Sequence, residues 1–286
     1  MEIAFFGGSF TGIDRSLMLR LLDLAQDYVE KGLVSSIRLS TRPDYISHEI
    51  LDLLGRYSVK HIELGLQSMD DQVLNACLRG HTAQQAEDAC RAIVEAGFSL
   101  TGQMMIGLPG ASLETELFTA RRICALGATS ARIYPTVVFH GTPLCTMTAR
   151  GEYQPLTVAE AVTRSAAVLG IFEEASVPCI RIGLCASEDL ISPEQVLAGP
   201  NHPALGELIW NEYYYQRLKE AAIAQGLMGT CAELWVEERL TSKIVGQRRC
   251  NLLRLSQDLR LTVPRVVGQK EMTGFVFAPC EESRKT

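Results

Sequence analysis

The residues best suited to chemistry sit in short runs where apolar stretches stop. Gly7-Gly8-Ser9 follows the apolar residues 2 to 6. Two residues without Cβ atoms let a ligand reach the backbone, whose amides suit a carboxylate and whose carbonyls suit an ammonium; a plain tight turn would need the same glycines. Thr41, Arg42 and Asp44 bring a hydroxyl, a guanidinium and a carboxylate to one exit, and Pro43 fixes the turn. Either Arg42 pairs with Asp44 to hold that loop, or both meet a ligand. Glu63, Gly65 and Gln67 alternate, which puts them on one side of a strand. A carboxylate on the inner side of a parallel strand is costly unless paired, so Glu63 is either a site residue or half of a core ion pair. His81, in Arg79-Gly80-His81-Thr82, reads as a general base or as a hydrogen-bonded histidine, and Met104 and Met105 as strand packing or as a face for adenine. No serine-histidine-acid order, phosphate-loop lysine or two-histidine zinc motif is present.

These runs need elements to position them. Apolar runs predict strands over about 2 to 6, 36 to 41, 60 to 66, 100 to 106 and 130 to 138. Between them, helical spacing begins with Leu17, Leu21, Leu24 and Tyr28 ahead of Gly32, and continues over about 47 to 55, 70 to 77, 82 to 96, 113 to 126 and 157 to 176. Parallel strands need helical crossovers and are covered on both faces, so five strand-helix units predict a parallel sheet. Ligands in such folds bind at the carboxyl ends of the strands, where the runs named above fall. After residue 177 the pattern changes. Residues 180 to 184 read as one more strand, 203 to 224 as a helix with Trp210, Tyr213, Tyr214 and Tyr215, and 231 to 279 as short strands and turns. Two domains are therefore expected, 1–177 and 178–286.

A chain of 286 residues with 47% hydrophobic and 21% charged residues folds rather than staying disordered. It has no apolar run near the ~20 residues of a membrane span and no secretory leader pattern, so a cytoplasmic protein without a membrane partner is expected. The net charge of -6 hides an asymmetry. Residues 239–270 carry eight basic residues against Asp258, a surplus of +7 that leaves -13 elsewhere. That segment is either a solvated face or a contact for tRNA or another nucleic acid. The nine cysteines, an odd number without regular spacing, read as free thiols.

Five ordered blocks, Ile3 to Gly12, Ser40 to Tyr45, Ile62 to Ser68, Arg79 to Thr82 and Gln103 to Gly110, together resemble the radical S-adenosylmethionine superfamily. Within it they are similar to bacterial proteins related to the catalytic subunit of Elongator, which modifies the tRNA wobble uridine; Arg132 to Thr136 with Gly141-Thr142 extends the likeness. The resemblance implies a partial parallel (β/α) barrel with a small C-terminal α+β extension. It also implies S-adenosylmethionine, a 4Fe-4S cluster held by three closely spaced cysteines, a reductase as electron donor, and hydrogen abstraction by a 5'-deoxyadenosyl radical. Carried onto this sequence, it assigns Gly7, Gly8 and Ser9 to the methionine amine, Gln67 to the ribose and Met105, Ile106 and Gly107 to the adenine. Thr41, Arg42 and Tyr134 fall at neighbouring strand ends. No catalytic residue is assigned.

The family's cluster loop precedes the glycine turn, and none of the nine cysteines reproduces its spacing. The chain is therefore expected to lack the first strand-helix unit and its metal ligands, to bind little iron and to be inactive alone. Two other readings are a cluster-free relative that binds S-adenosylmethionine or RNA, and an unrelated barrel enzyme using Glu63 and His81 for acid-base work.

Overall fold

The structure, a computed structural model, describes residues 1–184 and 195–280. Contacts divide the chain into two compact units, Met1–Pro203 and Ala204–Thr286. In the first, strands β1 (Glu2–Phe5), β2 (Ser36–Thr41), β3 (Val59–Gln67), β4 (Ser99–Ile106), β5 (Ser130–Pro135) and β7 (Cys179–Ile182) form one sheet in that order. Every neighbouring pair is parallel, as the strand-helix alternation predicts, and the sheet is the half-barrel that the resemblance implies. The run expected to be one strand over 130 to 138 breaks at Pro135. Its end forms β6 (Val138–Phe139), paired antiparallel with β8 (Val196–Ala198). Because β7 joins the same sheet, the first unit extends past 177, to Pro203.

Helices α1 (Arg15–Glu30), α2 (His48–Leu54), α3 (Asp71–Ala76), α4 (Ala83–Glu95), α5 (Leu113–Ala125), α6 (Pro143–Ala149) and α7 (Val158–Glu174) alternate with the strands. Asp14, Ser47, Asp70, Thr82, Ser112, Thr142 and Thr157 each cap the helix they precede by accepting an amide hydrogen bond. The pleat sends alternate side chains of the sheet outward. Ile37, Leu39, Ile62, Leu64, Leu66, Leu100, Met104, Ile106 and Ile133 are fully buried there, on strands in contact with α1, α4, α5 and α7. Contact is closest at Gly102, where an added Cβ would collide with Ile123 of α5. Gly102→Val is expected to cost about 1–3 kcal/mol, read as a lower urea midpoint at unchanged slope.

The second unit holds α8 (Leu205–Ala224), α9 (Thr241–Val245), α10 (Cys250–Leu259) and a three-stranded sheet. Central β9 (Ala232–Glu237) pairs parallel with β10 (Val266–Gln269) and antiparallel with β11 (Phe275–Pro279). Its core joins Tyr215, Leu218, Leu234, Ile244, Leu255 and Phe277. The expectation of strands and turns over 231 to 279 fails at α10, where Leu252, Leu255 and Leu259 recur at helical spacing and are buried. The expectation of free thiols fails at Cys231–Cys280, a disulfide with Cα atoms 6.2 Å apart. Antiparallel register sets Ala232 opposite Pro279, so the flanking cysteines of β9 and β11 face one another. Cys77, Cys90, Cys124, Cys145, Cys179 and Cys250 are free, and Cys185 lies outside the described residues. Among the described residues no helix is long and apolar enough to cross a membrane.

Candidate functional site

The inward residues of the same strands are polar, and they wall a cavity of about 680 Å³. Gly65, Gln103, Arg132 and Arg181 lie side by side across β3, β4, β5 and β7. Met105 and Tyr134 form the next rung toward the strand ends. Burial raises the Glu63 carboxyl pKa, and the guanidiniums of Arg132, Arg38 and Arg181 oppose that rise. Glu63 is 3% exposed, with Arg132 Nε 2.9 Å from its Oε2. The ion-pair alternative for Glu63 is observed, and the paired carboxylate also lines the cavity. Arg132 is anchored twice more, under the Phe6 ring at 5.1 Å and by donating to the Tyr134 hydroxyl at 3.1 Å.

At the mouth, Gly7 has φ +98°, and a Cβ built on Gly7 or Gly8 would meet no atom within 4 Å. The turn therefore presents bare backbone to open space. Arg42 grips Asp44 through two hydrogen bonds of 2.9 and 2.8 Å and donates to the Arg79 carbonyl at 2.5 Å, so the loop-holding pair is real. The Thr41 hydroxyl is shared with that of Thr11 at 2.6 Å. Gln67 has φ +66° at a register shift in β3 and accepts from Gln103 Nε2 at 3.4 Å. Gly65 leaves room for it, since a Cβ there would come within 2.9 Å of the Gln67 amide nitrogen.

Of the residues singled out by sequence, Gly7, Gly8, Ser9, Thr41, Arg42, Gln67, Met105 and Tyr134 line this one cavity. Ile106 and Gly107 do not. Ile106 points into the outer core, and both backbone groups of Gly107 are engaged, its amide by Glu116 at 2.7 Å and its carbonyl by the Tyr153 hydroxyl at 2.6 Å. His81 is 5% exposed and off the cavity wall; burial and the nearby Arg79 hold its pKa below the usual histidine value, which keeps it neutral at pH 7. Arg79, Gln103, Arg132 and Arg181 complete the wall. Extending the period-two argument from 63, 65 and 67 to 101, 103 and 105 and to 130, 132 and 134 would have found two of them.

The cavity presents bare backbone at Gly7 and Gly8, amide side chains at Gln67 and Gln103 and a thioether at Met105. A 4Fe-4S cluster does not fit the described residues. No cysteine lines the cavity, and no group of three histidine, cysteine, aspartate or glutamate side chains among the described residues could hold a metal ion.

Residues 2–123 match the family model of the radical SAM superfamily, and residues 128–215 that of the radical SAM C-terminal domain. An uncharacterised protein of Methanocaldococcus jannaschii is 32% identical over 158 residues, covering 54% of this chain and 48% of the relative. A tRNA uridine(34) acetyltransferase of Methanocaldococcus infernus is 31% identical over 182 residues, covering 57% of this chain and 34% of the relative. Human Elongator complex protein 3 is 29% identical, covering 51% and 28%. This chain thus spans no more than about half the length of these curated relatives. Among solved structures, the archaeal Elp3 of Methanocaldococcus infernus with an N-terminal deletion superposes with a TM-score of 0.62 at 24% identity, over 77% of this chain and 54% of that one; the likeness is one of fold.

Proposed function

Because the chain belongs to the radical S-adenosylmethionine superfamily, we propose that its half-barrel cavity holds S-adenosylmethionine and that the protein acts on tRNA or a related nucleic acid. One observation carries the reading. The Gly7-Gly8 turn, with open space where its Cβ atoms would project, shares a single cavity with Gln67, Met105 and Tyr134 at the carboxyl ends of parallel strands. The backbone of Gly7 to Ser9 would take the amino-acid end, Gln67 with Gln103 the ribose, and Met105 the adenine. When bound, the ligand supplies the adenosyl group on which the superfamily's radical chemistry draws. Glu63 and Arg132, locked together, keep the floor polar and fixed. The named activities of the tRNA uridine(34) acetyltransferase and Elongator relatives support tRNA as the substrate class and, with it, a cytoplasmic location.

In the second unit, Lys243, Arg248 and Arg249 of the basic segment line a cavity of about 900 Å³, while Arg239, Arg254 and Arg265 pair with Glu237, Glu212 and Glu233. Lys243, Arg248 and Arg249, which form no ion pair among the described residues, would meet nucleic-acid phosphates.

Titration calorimetry with S-adenosylmethionine tests the central claim. Gly8→Val places its Cβ where no protein atom lies within 4 Å and adds bulk beside the cavity, so it is expected to weaken binding at least about tenfold while shifting Tm by less than about 2 °C. Equal affinity in the variant, or no binding by the parent chain, would remove the reading. The lack of a metal-holding group among the described residues favours a second reading, a binding protein without a cluster and without need of a reductase. Anaerobic incubation with iron and sulfide is then expected to leave well under one cluster per chain. A stoichiometric cluster that cleaves the ligand on reduction would overturn it.

A further inference from the structure

Four guanidiniums, those of Arg42, Arg79, Arg132 and Arg181, line the half-barrel cavity against one carboxylate, that of Glu63. Two of the four are accounted for: Arg132 is held by Glu63, and Arg42 by Asp44. The other two are not. Arg79 donates through Nη2 to the Gly65 carbonyl at 3.2 Å, but its Nε is buried without an acceptor, and no described carboxylate forms an ion pair with it. Arg181, half-buried at the far edge of the sheet on β7, acts on the Glu63 carboxylate from a distance but forms no ion pair with a carboxylate among the described residues. Asp44 and Glu63 act on these two guanidiniums only from beyond ion-pair distance; guanidiniums half-withdrawn from water without a close carboxylate are costly, and a walled cavity concentrates their field. Burial lowers the pKa of Arg79, consistent with that cost.

S-adenosylmethionine does not relieve this charge. It brings one carboxylate together with an ammonium and a sulfonium, a net positive ligand in an already positive cavity. A nucleotide within an RNA strand brings what the wall lacks, since it carries a phosphodiester on each side of the sugar. The planar fork of arginine matches phosphate oxygens. We propose that Arg79, reaching in beside β3, and Arg181, on β7, are phosphate contacts that seat a phosphodiester-flanked nucleotide across the cavity. The proposal rests on the reading of the cavity as the S-adenosylmethionine site and names two residues that hold the nucleic-acid substrate there.

The test uses the full chain and a uridine trinucleotide, with uridine itself as the uncharged comparison, in calorimetric titrations over a range of salt. The trinucleotide is expected to bind at least about tenfold tighter than uridine at low salt; Arg181→Gln and Arg79→Gln should each flatten the log-log salt slope by about 0.7 and erase most of that advantage. Arg181→Lys keeps the charge and should keep the slope. Arg91→Gln, on the outer helix α4, removes an arginine away from the cavity and is the control for net charge. Because Arg79 also braces Gly65, melting curves accompany its variant, and Arg181→Gln alone suffices if Arg79→Gln unfolds. An unchanged slope in Arg181→Gln overturns the proposal. So does a loss of S-adenosylmethionine affinity with trinucleotide binding intact, which would assign Arg181 to the carboxylate of that ligand. Failure of the parent chain to bind S-adenosylmethionine while the arginine variants still lose the trinucleotide would sink the ligand reading and leave the phosphate contacts standing.

Discussion

Arg164→Leu is expected to destabilise the first unit by about 3–5 kcal/mol, the usual result of stripping one partner from a buried ion pair. Glu116 of α5 is 3% exposed. Arg164 of α7 reaches it with Nε at 2.7 Å and Nη2 at 2.6 Å, and Nη2 also donates to the Ala111 carbonyl at 3.2 Å. The same carboxylate accepts the Gly107 amide, so one pair of side chains joins two helices and fixes both ends of the turn that leaves β4 beside Met105. Without the guanidinium, the carboxylate keeps a single amide donor in a dry setting. Burial already raises the Glu116 pKa above 4.5 against the pull of Arg164, and the variant loses that pull. The folded variant then keeps a proton that the unfolded chain releases near pH 4.5, so its stability is greatest below that pH and declines as pH rises through the folded value. Urea unfolding at several pH values reads both effects. Arg164→Leu with Glu116→Leu, which removes the charge along with its partner, should recover most of the loss. A cost under about 1 kcal/mol in the single variant would show that the pair does not hold the turn.

That pair marks where local sequence stops being informative. The six strands of the parallel sheet and helices α1 to α5 and α7 were legible because each of those helices opens on a capping residue and the central strands carry an apolar outer stripe, whereas α6, β6 and β8 were not read from the sequence. The glycine turn, Gln67, Met105 and Tyr134 were legible as strand-end residues, and the cavity joins them. Ile106 and Gly107, assigned with Met105 through the resemblance, lie off the cavity wall for different reasons: Ile106 faces the opposite side of β4, and Gly107, past the strand end, has its amide and carbonyl taken by Glu116 and Tyr153. Arg181 was out of reach for a different reason. Its strand pairs with β5 only after α6, β6 and α7 have intervened, so no local pattern links it to Arg132. Glu116 and Arg164, 48 residues apart, are equally non-local. In the second unit, Arg248 and Arg249 take left-handed backbone angles just ahead of α10, and the basic stretch hid a helix whose leucines face inward.

Reducing the disulfide, or replacing Cys280 with serine, is expected to cost the second unit about 4 kcal/mol on the chain-entropy account of the loop it closes. The bond spans 49 residues and joins the start of β9 to the end of β11. Nearly all of the unit's sheet, α9 and α10 lie inside that loop, so the open chain regains the freedom of most of the unit on unfolding. The remaining core is modest, built on Tyr215, Leu218, Leu234, Ile244, Leu255 and Phe277, and small cores depend most on such links. The effect should be confined. Among the described residues of the first unit no disulfide forms, so calorimetry with and without reductant should shift only the transition followed by Trp210 and Trp235, both in the second unit. If reduction moved that transition by less than about 1 kcal/mol, the register of β11 against β9 and the apolar contacts of Phe277 would be holding the strand without the covalent link. A comparable shift in the first unit would mean that the two units do not unfold separately.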